Sequence, residues 1–387
     1  MTQERRSFAE DPLTKFRRTS SRVAARVLER IRGKASSLGE VRIMDFCGTH
    51  EWTITHYGIR SLMPENIELV AGPGCPVCIT PAYYVNEAIR LALDGVRVYT
   101  FGDAYKLPGR AGTVPRTLEA AAAEGGDVAV VYSFLDAVRR ARAEGRESVF
   151  FAVGFETTMP STASPIAAGA LPPNLRVLSA HRYTPPIVVH LLERVEGARI
   201  DGVIAPGHVS AVIGSEAWRF LPEDYGVPTV VAGFEAVDVL IAIDAILEML
   251  VRRKPTLINE YRRVVRPEGN PVAKRVMEEV FEPFDAYWRG IGVVPSSGAR
   301  LRERYAAHDA AREYGIKDPP DDVEGEILPG CRCHEVVLGM AKPTDCPLFM
   351  KACTPDTPYG PCMVSMEGTC RIWSLNLAQI GSLLRHG

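Results

Sequence analysis

The sequence predicts an α/β protein: two parallel-sheet domains around a cleft, with a small cysteine-rich iron–sulfur domain at the C-terminal end. Three observations carry this. Short apolar runs alternate with helix-like segments over the first two thirds of the chain. The loops that close those runs have specific compositions where generic turn residues would do. The nine cysteines divide into three by position 78 and six from position 331 onward.

In chain order, residues 1–38 read as a charged amphipathic helix with Phe16, Val23, Val27, Leu28 and Ile31 on one face, suited to docking on the domain that follows. The apolar runs are Val41–Phe46, Ile67–Ala71, Val96–Phe101, Val128–Tyr132, Val149–Val153, Leu175–Ala180, Val203–Ala205 and Val227–Ala232. Helical partners include Pro81–Leu93, Pro115–Ala123, Leu135–Ala143, Ile187–Val195 and Ala236–Val251. Strands alternating with helices imply parallel sheets joined by right-handed crossovers. Ala152-Val153-Gly154-Phe155-Glu156 echoes Val231-Ala232-Gly233-Phe234-Glu235, through two related units or a shared packing demand. Arg252–Pro320 is charged and reads as helix-rich, broken at Pro267, Pro283 and Pro295. From Glu324 the chain is rich in cysteine, proline and glycine, a composition that needs a metal or cluster to hold it together. These shifts place domain limits at 1–125, 126–255 and 256–387.

A net charge of -2 over 387 residues offers no surface for nucleic acid or an anionic membrane. No apolar run reaches the ~18 residues of a membrane span. Arg5-Arg6-Ser7-Phe8 matches a twin-arginine signal only faintly, because Ala9-Glu10-Asp11-Pro12 follows where an apolar stretch would be required. A cytoplasmic location is expected, and in a reducing compartment clustered cysteines mean metal, iron–sulfur or thiol redox chemistry. The chain has no Gly-x4-Gly-Lys-Ser/Thr loop, Gly-x-Gly-x-x-Gly fingerprint, Gly-x-Ser-x-Gly elbow or His-Glu-x-x-His helix, so nucleotide, hydrolase and metalloprotease readings have no anchor.

Parallel sheets bind ligands at the carboxyl ends of their strands. Four loops there are expected to share one cleft: Cys47-Gly-Thr-His-Glu51, Gly72-Pro-Gly-Cys-Pro-Val-Cys78, Gly154-Phe-Glu-Thr-Thr158 and Pro206-Gly-His-Val-Ser210. Cys75 and Cys78 stand at the spacing of a redox pair, and equally of half a zinc site. Cys47 and His50 offer a soft sulfur and a borderline nitrogen that suit iron or zinc, with Glu51 beside them. His208 could ligate, carry a proton or fix its loop, and His181 has the same ambiguity. Glu156 with Thr157 and Thr158 could bind an anion or metal-bound water, or cap the next helix. His56, His190 and His308 have no supporting company. In the C-terminal set (Cys331, Cys333, Cys346, Cys353, Cys362, Cys370), four thiolates would hold a [4Fe–4S] cluster and two would remain to form a disulfide. Zinc prefers paired Cys-x-x-Cys knuckles, which this segment lacks.

These motifs, in this order, resemble the hydrogenase maturation factor HypD family over residues 40–373. The resemblance implies a cytoplasmic scaffold on which the iron of the [NiFe]-hydrogenase active site receives cyanide and carbon monoxide. It implies two partners, a small HypC-type chaperone with an N-terminal cysteine and a HypE-type cyanide donor. Carried onto this sequence, Cys47 would hold the mononuclear iron with the partner's cysteine, and Cys75 and Cys78 would be the redox pair with His50 and Glu51 beside them. Likeness to ferredoxin:thioredoxin reductase implies Cys331, Cys346, Cys353 and Cys370 as cluster ligands and Cys333 with Cys362 as a neighbouring thiol pair. His334 stands where the family often has glycine. The competing function is an iron–sulfur-dependent thiol–disulfide reductase that uses Cys75 and Cys78 on a protein substrate and needs no mononuclear iron.

Overall fold

The computed structural model describes residues 12–377 except 196 and 198, with the side chains of 12–20 also left aside. The faint Arg5–Phe8 signal, the start of the expected N-terminal helix and the side chain of Phe16 lie outside the described residues.

All eight apolar runs form strands: β1 (Val41–Asp45), β2 (Ile67–Ala71), β3 (Arg97–Thr100), β4 (Val128–Val130), β5 (Ser148–Gly154), β6 (Leu175–His181), β7 (Gly202–Ala205) and β8 (Thr229–Val231). A ninth, β9 (Leu257–Asn259), was not anticipated. Two sheets result, one of order β2-β1-β7-β8-β9 and one of order β4-β3-β5-β6, and every pairing in them is parallel. A parallel sheet is covered on both faces, so its central strands read as unbroken apolar runs; all seven residues of β5 are buried.

The sheets do not follow one another along the chain. The second is built wholly from residues 97–181 and is inserted between β2 and β7 of the first, so the expected limits at 125 and 255 cut across both sheets. Periodicity reports that a segment is a strand, and says nothing of which strand it pairs with.

Register places the site. Asp45 pairs with Ala71 on one side and Ile204 on the other, so the loops opening at Phe46, Gly72 and Pro206 leave the same edge together. In the second sheet Gly154 pairs with His181.

The N-terminal helix, Pro12–Ala35, packs on Ala236–Arg252. Val27 and Ile31 are buried there, Val23 stays exposed, and Asp244 accepts from Arg30 and Lys34. A docking role is what this arrangement shows.

Residues 252–320 differ most from expectation. Between helix Pro271–Val280 and the short turns after Arg302 lies an antiparallel hairpin, β10 (Phe281–Trp288) with β11 (Gly292–Leu301). Phe281-Glu-Pro-Phe-Asp alternates weakly, and Pro283 and Pro295 read as helix breaks; prolines at a sheet edge carry the same signature. Trp288 is fully buried beside Phe155, ring centroids 6.0 Å apart.

Among the described residues the C-terminal segment holds only short helices, including Cys333–Val337, Pro361–Val364 and Thr369–Leu375. It is tied to the first sheet by Arg42 donating to the Gly339 carbonyl, by Lys342 beside Glu68 and by contacts of Trp373 described below.

Candidate functional site

Cys47 stands two residues after β1 and precedes helix Gly48–His56 in an extended conformation. Its amide donates to Asp45 Oδ1 at 3.4 Å and its thiol is half-buried. Loss of solvent pushes that thiol up to about 12, against the pull of the His50 and Thr49 amides. A metal would therefore displace a firmly held proton.

The second cysteine loop rests directly on the first. A Cβ on Gly74 would lie 2.5 Å from the Cys47 nitrogen and 2.7 Å from its Cα, so only glycine permits this approach. Cys75 and Cys78 are joined as a disulfide with Cα atoms 5.4 Å apart, and both are buried. Pro76 opens the turn Pro76–Ile79, and the Cys78 amide donates to Cys75 Sγ at 3.2 Å.

Around Cys47 the buried polar groups form a network. Glu51 receives Arg60 at 2.5 Å, the Trp373 indole N–H at 2.6 Å and Thr55 Oγ1 at 3.1 Å. Asp45 is 2 % exposed with Oδ2 unpartnered, and burial, then the nearby Glu51, hold its carboxyl well above the usual range. His50 Nε2 faces the carbonyls of Ala232 (3.2 Å) and Gly233 (2.9 Å), which fixes the proton on Nε2 and leaves buried Nδ1 as a free lone pair. Burial lowers this imidazole to about 4. His50 and His208 both pack on Phe234, at 4.8 and 4.0 Å. Phe234 belongs to the echoed Gly-Phe-Glu segment of β8.

The matching segment of β5 is less directly involved. Phe155 joins the apolar cluster that contains Cys75, Cys78 and Trp288. Glu156 turns away and accepts from the amide (2.7 Å) and hydroxyl (2.6 Å) of Thr184, holding the start of helix Thr184–Arg194. Burial raises Glu156 to about 7. Thr157 is exposed. His181 is buried against Phe281, and His56 bonds Asn376.

All six C-terminal cysteines line one small cavity with Leu348, Phe349, Gly360 and Met363. A Cβ on Gly360 would stand 2.6 Å from Cys331 Sγ. Amides donate to Cys353 Sγ from Tyr359 and to Cys362 Sγ from Cys370, each at 3.4 Å. Cys333 and Cys370 both hydrogen-bond to Cys362, which lowers its thiol and raises theirs. An all-sulfur donor set with backbone N–H groups aimed at it fits an iron–sulfur group. Among the described residues no three His, Cys, Asp or Glu side chains close on a single metal ion.

An adjoining cavity is lined by Cys78, Arg289, Glu326, Cys331, Cys333 and His334, and so touches both thiol sets. Arg289, from the hairpin turn, is buried there; its amide donates to Ile79 O at 2.9 Å and its guanidinium to the carbonyls of Glu326 (2.9 Å) and Pro108 (2.7 Å). Arg289, Arg60, Trp373 and Asp45 were not singled out in the sequence. Asp45 had a signal, a carboxylate ending an apolar strand two residues before a cysteine; the other three had none.

The HypD family model, described as "Hydrogenase formation hypA family", matches residues 22–376. A Methanocaldococcus jannaschii protein named for hydrogenase expression/formation is 43 % identical over 351 residues, covering 90 % of this chain and 95 % of that one. Hydrogenase maturation factor HypD of Rhizobium leguminosarum bv. viciae is 40 % identical over 358 residues (90 % and 91 %), and that of Escherichia coli 39 % over 357 (90 % and 93 %).

Proposed function

The chain belongs to the HypD family of hydrogenase formation proteins, and from that premise we propose that it is the scaffold and electron relay on which the Fe(CN)2CO unit of a [NiFe]-hydrogenase is assembled. The iron is cargo, held by Cys47 together with a thiolate of a HypC-type partner, while a HypE-type partner delivers cyanide. His50 Nδ1, a buried lone pair beside that segment, is the protein's second candidate donor.

One observation carries the relay. Gly74 seats the Cys75–Cys78 loop on Cys47, while Cys78 shares a cavity with Cys331 and Cys333. The loop of the disulfide therefore touches the Cys47 segment at one end and the cavity of the C-terminal thiols at the other, which supports the relay. Cys331, Cys346, Cys353 and Cys370 would hold a [4Fe–4S] cluster, which when bound supplies single electrons at low potential. In the protein's own step, the Cys333 thiol gives its proton to the Cys362 thiolate it hydrogen-bonds and attacks Cys78 Sγ, forming a mixed disulfide and releasing Cys75 thiolate. Cys362, its proton passed on to Cys75, then attacks Cys333 Sγ, which leaves a Cys333–Cys362 disulfide and frees Cys78 thiolate. Two electrons move and no external oxidant is required. Burial of both Cys75 and Cys78 disfavours a reductase acting on a separate protein, whose substrate would have to reach them.

The test is infrared spectroscopy of the chain co-purified anaerobically with its small partner. Cyanide and carbonyl bands are expected in the native complex and absent from Cys47→Ala. Bands that persist at full intensity in Cys47→Ala would overturn the assignment.

A further inference from the structure

Three features lie outside this chemistry. The cleft of about 580 Å³ between Glu40–Leu69 and Lys342–Trp373 has mixed charge and nothing to define an occupant. The exposed Trp52–His56–Tyr57 stack has no feature that selects a partner. The third is a single side chain with two well-defined ends.

We propose that Trp373 is a positioning residue that ties the Cys47 segment to the C-terminal thiol cavity. Its helix, Thr369–Leu375, begins beside Cys370, one of the six cavity sulfurs. One turn later the Trp373 indole N–H donates to Glu51 Oε1 at 2.6 Å, and Glu51 stands one turn after Cys47 on helix Gly48–His56. Arg60 closes the unit, bonded to Glu51 Oε2 and lying over the indole ring at 5.1 Å. Glu51 is 1 % exposed and Trp373 3 %, so water cannot replace the indole donor. The helix that carries Cys370 is thus joined through one buried bond to Glu51, whose own amide donates to the Cys47 carbonyl at 3.0 Å. A carboxylate that had only to be neutralised would need Arg60 alone; the added indole bond reaches across 322 positions of sequence to the other functional part.

This rests on the reading of Cys47 as the reactive thiol, but its test does not require iron, so the two can fail separately. The half-buried Cys47 is alkylated through an opened form whose population is set by the contacts that hold it shut. Trp373→Phe removes the donor and keeps a ring. The initial rate of iodoacetamide labelling of the Cys47 peptide, read by mass spectrometry on the full chain, should rise roughly tenfold, the effect of losing one hydrogen bond to a charged group. Cys370→Ser should change that rate in the native background and not in Trp373→Phe. Lys342→Ala, which breaks the tie to Glu68 without touching Glu51 or the Trp373 helix, should leave it within about twofold. Should Trp373→Phe fail to fold, the native chain labelled with 5-fluorotryptophan still reports. Its four tryptophans give separable fluorine signals, and alkylation limited to Cys47 must shift that of Trp373 while leaving Trp218 and Trp288 in place. An unchanged labelling rate in a folded Trp373→Phe, an equal rise in Lys342→Ala, or a static Trp373 resonance would each overturn the proposal.

Discussion

Gly74 lies against the backbone of Cys47 so closely that a single methyl group at position 74 would sit 2.5 Å from the Cys47 nitrogen. Neither backbone has room to yield, because β1 and β2 are paired up to Asp45 and Ala71 just before the two loops. Gly74→Ala should therefore part the loops at a cost of about 1–3 kcal/mol. A urea-unfolding midpoint unchanged from the native protein would show that the loops are not in contact.

Gly360→Ala carries the same argument to the C-terminal cavity, where the added methyl would strike Cys331 Sγ. The chain should fold, with its other five cavity cysteines in place, and lose iron and sulfide after anaerobic reconstitution. Native iron and sulfide content in Gly360→Ala would remove Cys331 from the ligand set.

Arg60→Met should be costly for a different reason. Glu51 is buried, and without Arg60 it keeps only the Trp373 and Thr55 donors. Stranding one member of a buried ion pair costs about 3–5 kcal/mol. Chemical denaturation should show a loss of that order, several times that of an exposed pair such as Lys317–Asp321 broken as a control.

His181 provides a pH test away from the thiols. Burial, then Arg182, lowers it to about 3, so it is neutral in the fold and titrates normally when unfolded. Between the unfolded value of 6.5 and the folded value of about 3, the unfolded chain binds the extra proton. The stabilising contribution is thus complete above pH 6.5 and falls as the pH falls, by about 1.4 kcal/mol per pH unit. Asp45 and Glu156, raised by burial, act in the opposite direction and are common to both proteins compared. In His181→Gln the loss from pH 6 to pH 5 should be about 1 kcal/mol smaller than in the native chain. Equal slopes would show that His181 is protonated in the fold.

The fold and the site were legible to different depths. Strands such as β5 and β7 were readable because a strand buried on both faces is apolar along its whole length. The Cys47 and Gly72–Cys78 loops were readable because close backbone approach and thiol chemistry restrict composition. Glu51 and Glu156 were legible as unusual residues but not in their use: one anchors Arg60 and Trp373, the other holds the start of the helix at Thr184.

By itself, then, the sequence determined that this is a parallel α/β protein of the HypD family with two groups of thiols. Local period and composition are properties of neighbouring residues, and they are printed in the chain. Only the tertiary structure decided that the second sheet is inserted into the first, that residues 281–301 form a hairpin carrying Arg289 to the thiols, and that Trp373 reaches Glu51. Each of those joins residues far apart in sequence, through pairings chosen by the packing of the whole core, and no local pattern encodes them.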